Sequence, residues 1–155
     1  MNWIISKSDK FDYHTNLGEI FKPLTNCIKD YNWLITDLQF ISFSKAQLSI
    51  DHSHDYFLLD STEFQALINN EIQFVWAVIS ALPKEIDIVI KDVLSLPYAD
   101  GNGSIWESEE LQHPDAVLEI ICWDSGYTIV KFTDEELSAK FKAYFPEAVA
   151  LADFR

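Results

Sequence analysis

Runs that are apolar on both sides, and stretches that alternate, divide this chain into short strands with a few helical segments between them. EIQFVWAVISAL (71–82) is apolar at nearly every position. Ile72, Phe74, Trp76 and Val78 line one strand face and Val75, Ala77 and Ile79 the other, which predicts a central strand covered on both sides and ended by Pro83. AVLEIICWDSGYTIVKF (116–132) predicts a hairpin about Asp124, Ser125 and Gly126, with Gly126 supplying the positive φ of the turn. NWIIS (2–6), YNWLIT (31–36) and YFLL (56–59) read as further short strands. LQFISFSKAQLSI (38–50) sets Leu38, Phe40 and Ser42 against Gln39, Ile41 and Phe43, and predicts a hairpin about Ser44 and Lys45. EIDIVI (85–90) alternates with Ile86, Ile88 and Ile90 inward.

Helical spacing is confined to three places. In TNLGEIFKPLTNCI (15–28), apolar residues fall at 17, 20, 21, 24 and 28, Thr15 is placed to cap, and Pro23 limits or bends the helix. Asp60 with Glu63 three positions on is a capping-box pattern for a short helix ending at Asn69 and Asn70. Thr133 with Glu136 is a second, for a helix over 133–145 with Leu137, Phe141 and Tyr144 toward the sheet. Pro146 suits the first position of a final short helix, and LPYADGNGS (96–104) is a loop. Strands in series with few helices predict a single α+β domain over 1–155, its sheet antiparallel or mixed and its helices mainly on one face.

Composition agrees with one packed unit. The chain has 155 residues, 48% of them hydrophobic and 14% aromatic, with few glycines and prolines to make linkers. Cys27 and Cys122 stand far apart without metal-ligand spacing, which suits a reducing compartment. The apolar run near the N-terminus is too short for a signal sequence, so the expected location is the cytoplasm.

Charge changes the picture more. The formal net charge is −14. No Lys or Arg occurs between Lys45 and Lys84, where Asp51, Asp55, Asp60, Glu63 and Glu71 lie. None occurs between Lys91 and Lys131, a span that includes Asp100, Glu107, Glu109, Glu110, Asp115 and Glu119. If these spans meet in space they make a field of one sign, which repels nucleic acid and anionic membrane and steers a basic partner inward. Trp106 lies beside the acids as an aromatic that could fill a partner's pocket while carboxylates meet its lysines and arginines. The expected partner-binding residues are Trp106, Glu107, Glu109, Glu110 and Asp115, with Asp51 and Asp55 as a second patch.

The densest cluster of chemical side chains is DHSHD (51–55). On a strand His52 and His54 share a face and could serve as two ligands of a zinc or iron site, but no third ligand stands at a supporting spacing. The preferred reading is a polar strand edge without metal or cofactor. CWDSG (122–126) lacks the electropositive setting that a thiolate needs, and Ser125 is an ordinary turn residue. Glu109 and Glu110 could form an acid–base pair, although a solvated segment is the simpler reading. No nucleotide-binding or metalloprotease motif is present. The expectation is a non-enzyme.

Three stretches carry a resemblance: FKPLTNCIKDYNWLI, FVWAVISALPKEIDI and LEIICWDSGYTIVKFTDEEL. Their order resembles a family of small bacterial proteins with a domain of unknown function. A Tyr–x–Trp segment, a strand ending near proline, and an Asp–Ser turn before an acidic helix start recur in it. The resemblance implies no catalytic residues. By analogy of class it implies an immunity-type protein, whose partner is a basic toxin domain such as a nuclease. The alternatives are a metal-dependent enzyme or sensor using His52 and His54, and a regulatory protein-interaction domain unrelated to toxins.

Overall fold

The computed structural model describes residues 1–43, 54–90 and 95–154. Strands β1 (Trp3–Ile5), β2 (Tyr31–Ser42), β3 (Tyr56–Leu59), β4 (Ile72–Pro83), β5 (Leu118–Trp123), β6 (Tyr127–Phe132) and β7 (Val149–Ala150) form one sheet. Its order is β3-β2-β4-β5-β6-β1-β7, and all neighbours are antiparallel. Helices α1 (Leu17–Ile20), α2 (Ser61–Ile68) and α3 (Glu135–Tyr144), with a 3-10 helix over Lys22–Asp30, cover one face. The fold is a single α+β domain with helices on one side, as the alternation of patterns predicts.

The helical side holds the main core. Trp33, Ile35, Ala77, Ile79, Leu118, Ile120 and Val130 point up from the sheet. Leu17, Ile20, Phe21, Leu24, Phe64, Leu67 and Phe141 point down from the helices. The other face is covered by loops and two short 3-10 helices, Gly103–Trp106 and Leu151–Asp153. Ile4, Val78, Ile121 and Ile129 lie beneath Ala99, Ile105 and Leu151, and Leu34 and Leu82 lie against Ala116. Both faces of β4 are therefore buried, as its composition requires.

The local signals that hold are those with a complete mechanism. Asp60 caps α2 through Thr62 N and Glu63 N, and the Glu63 carboxylate accepts from Asp60 N, closing the capping box. The β5–β6 hairpin pairs Trp123 with Tyr127.

Several expectations are corrected. The helix over 15–28 is broken: α1 is one turn, and a 3-10 helix with Pro23 in its first turn follows. Its cap is Asn16, because Thr15 turns to φ 59 and donates its hydroxyl to Phe74 O at 2.6 Å instead. YNWLIT and the start of LQFIS are one strand of 12 residues. The hairpin about Ser44 and Lys45 lies outside the described residues. Residues 85–90 form no strand, although Ile88 and Ile90 do pack inward on Leu34 and Leu82. Asp134 rather than Thr133 caps α3, and Pro146 leads into a turn and β7, so the final short helix is a 3-10 turn that starts only at Leu151.

Two β-bulges explain a subtler difference. Register shifts fall between Thr36 and Gln39 of β2, and between the pairs Gln39–Trp76 and Phe40–Phe74. Each extra residue reverses the alternation. Ile72 and Phe74 thus face the helical core, while Trp76 and Val78 face the opposite side. The bulges and the β5–β6 turn support one another. Positive φ falls on Asp37 (51°), Asp124 (47°) and Ser125 (55°), not on Gly126, and Ser125 N donates to Val75 O at the β4 bulge. A left-handed conformation costs a residue with Cβ roughly 1–2 kcal/mol, which such added bonds offset.

Candidate functional site

β5 and β6 are apolar strands, yet each carries one charge inward on the face away from the helices. Glu119 and Lys131 stand opposite each other in the register. They are 0% and 1% exposed. A buried charge persists only where its hydrogen-bonding capacity is met. Both side chains find partners on the backbone of the segment that covers them, Glu119 through one oxygen only. Lys131 Nζ donates to Ser108 O (2.8 Å) and Glu110 O (3.0 Å). Glu119 Oε2 accepts from Gln112 N (2.9 Å) and His113 N (3.4 Å). Buried Asn2 donates to Glu109 O (2.7 Å), and its own carbonyl accepts from Phe132 N.

Three consecutive carbonyls, of residues 108, 109 and 110, are thereby held from below by one lysine and one asparagine. The Glu107, Glu109 and Glu110 residues are exposed. The sheet grips the backbone, and the carboxylates are displayed without any of them being used as an anchor.

A second clamp lies nearby. Asp37, at the β2 bulge, accepts from Ala99 N and Asp100 N through one oxygen, 2.7 Å from each. Gln112 Oε1 accepts from Tyr98 N (3.0 Å) and Asn102 Nδ2 (3.1 Å), and Asn102 Nδ2 also donates to Tyr98 O. Asp100 and Asp115 are exposed on this loop layer. Asp55 is exposed too, and its neighbour Tyr56 packs in the same small apolar cluster as Leu111 and Ala116. Glu107, Glu109, Glu110 and Asp115 are thus exposed on the loop layer and Asp55 is exposed just before β3; Asp51 lies outside the described residues.

Trp106 is placed differently from the exposed anchor expected of it. Its half-buried ring meets Trp123 (5.1 Å between centroids), Tyr127 (5.5 Å) and Phe154 (5.8 Å), and Trp123 also meets Trp76. Its main contacts are intramolecular. Tyr98, which the sequence reading passed over, is 51% exposed. Pro97 and Ala99 are buried while Tyr98 and Asp100 are exposed, an alternation that depends on the distant Asp37 binding the amides of 99 and 100 and so has no local signal in the sequence.

The electrostatics differ between the layers. Two ion pairs occur among the described residues, Lys22–Glu19 (2.6 Å) and Lys140–Glu136 (2.7 Å), and both lie on the helical layer. On the loop layer the buried Lys131 bonds backbone carbonyls. Burial pushes the Glu119 carboxyl above its ordinary value of 4.5, against the opposing pull of the amides and of Lys131. Burial also pushes Lys131 down, against Glu119 and Glu109. The folded state therefore holds the Glu119 proton more tightly than the unfolded chain does. This group's penalty is absent below the ordinary carboxyl range and builds as pH rises through the raised pKa. Glu119→Gln should remove that slope: in urea unfolding from pH 4 to 8, its stability relative to the wild type should climb with pH and then level. A difference that stays flat across the range would refute the assignment.

His54 is exposed, His52 lies outside the described residues, and no group of three potential metal-binding side chains occurs among the described residues. Burial raises the Cys27 thiol to about 11 and the Cys122 thiol upward as well, so both stay protonated at neutral pH. No helix among the described residues is long and apolar enough to cross a membrane. Comparisons with family models, curated proteins and solved structures gave no match.

Proposed function

We propose that this protein is an immunity-type binding protein that acts in the cytoplasm and neutralises a cognate basic bacterial toxin domain by direct occlusion. The observation that carries the reading is the acidic segment 107–110, whose carbonyls are captured by Lys131 and Asn2 while its three glutamates face outward. A segment already held in place loses little conformational freedom on binding, so more of the contact energy survives as affinity. Carboxylates without lysine partners extend a field toward solvent and raise the rate of encounter with a cationic surface. Occlusion of a toxin's active site or substrate groove needs no catalytic group on the inhibitor.

The test is co-expression with the protein encoded next to it, scoring growth and co-purification. The wild type should restore growth and co-purify. The triple change Glu107→Gln, Glu109→Gln and Glu110→Gln should slow association about tenfold or more at low salt, with a smaller change in dissociation. Rescue and association that are indifferent to the three charges would remove the proposal.

A further inference from the structure

Tyr98 is an aromatic of the loop layer that the core does not use. Its backbone is bonded on both sides, N–H to Gln112 and carbonyl to Asn102, and the next two amides end on Asp37. Pro97 and Ala99 are buried, whereas Tyr98 and Asp100, two residues apart, are exposed. The positive φ of Asp37 is tolerated in order to put a carboxylate under this segment. A tyrosine on a fixed backbone offers a large flat contact at the cost of two side-chain torsions. With an exposed carboxylate two residues on, the chemistry suits one side chain better than others. A guanidinium stacks on an aromatic face and takes a carboxylate through two parallel N–H bonds, whereas an ammonium is a compact, strongly hydrated point charge.

Deepening the proposed function and resting on it, we propose that Tyr98 and Asp100 form an arginine-recognition point: a basic protein partner places one arginine on the Tyr98 ring and pairs it with Asp100. The segment 107–110 supplies attraction of any cation, and Tyr98 with Asp100 supplies the choice of arginine over lysine.

The full chain is titrated with hexa-arginine and with hexa-lysine peptides at equal ionic strength, following the ring resonances of Tyr98 and the amides of 98–100 and 107–115. Hexa-arginine should bind about two- to fivefold tighter and shift the Tyr98 ring. Tyr98→Leu and Asp100→Asn should each erase that preference while leaving the response at 107–110, and Tyr98→Phe should keep it. If both peptides perturb 107–110 equally and leave Tyr98 unmoved, the arginine assignment is overturned and the acidic docking surface stands. If neither peptide perturbs either segment at low salt, both proposals fall.

Discussion

Lys131→Met should destabilise the fold by about 3–5 kcal/mol, because it leaves two carbonyls unpaired and a buried carboxylate without its nearby counter-charge. Methionine restores much of the stem's volume, so packing changes little. What is lost is the donor to Ser108 O and Glu110 O and the positive charge opposite Glu119. Two carbonyls lose their partner, and a carboxylate whose Oε1 already has no hydrogen-bond partner is left without its cross-strand counter-charge. Urea unfolding at pH 7 measures the loss. The double change Lys131→Met and Glu119→Gln should recover a substantial part of it, because a neutral pair of similar shape is often no worse than a buried ionic one. A single-variant cost below about 1 kcal/mol would mean that the pair is not buried as described.

Trp33→Ala should be of similar size, about 3–5 kcal/mol, through cavity formation. Trp33 is 0% exposed. Its ring stacks on Phe64 with centroids 4.1 Å apart and planes 10° apart, and meets Phe21 edge-on at 5.2 Å. Its indole N–H donates to Ile28 O at 3.1 Å. One side chain therefore ties β2 to α2 and to the 3-10 helix over Lys22–Asp30. Trp33→Phe should cost less, since a ring remains and the lost bond to Ile28 O is worth roughly 1 kcal/mol. Equilibrium unfolding with near-ultraviolet circular dichroism separates the cases. A Trp33→Ala variant that keeps wild-type stability and aromatic dichroism would contradict this packing.

These two residues also show what could be read from the chain alone. Trp33 in YNWLIT reads as core from its neighbours. So do the capping box at Asp60 and the β5–β6 pairing, because each rests on a few adjacent side chains. The bulges at β2 and β4 do not. Nothing local marks Asp37 as the place where alternation reverses, since its positive φ is repaid by amides 62 and 63 positions away. The alternation of Ile86, Ile88 and Ile90 did foretell inward packing for Ile88 and Ile90, but no neighbouring strand among the described residues takes up their backbone.

At the candidate site, the sequence identified Glu107, Glu109, Glu110 and Asp115 as surface acids, and it counted Glu119 among them. Glu119 proved to be internal. The clue lay in its surroundings: a carboxylate between Leu118 and Ile120, in a strand apolar on both faces, has nowhere to reach water. Lys131, between Val130 and Phe132, carries the same mark. Trp106 was chosen by nearness in sequence to acids, whereas Trp123, Tyr127 and Phe154 claim its ring from elsewhere in the chain.

The position of β1 has a kinetic consequence. Trp3–Ile5 sits between β6 and β7, so this strand pairs with two that are made more than 120 residues later. Sheets closed by such distant partners fold slowly, in milliseconds to seconds, because the intervening loop must be drawn together before any contact rewards it. Asn2 arrives with that strand and carries the bond to Glu109 O. Display of the acidic segment is thus completed only once β6 has emerged and paired with β1, and a nascent chain would be a poor binder until that closing step.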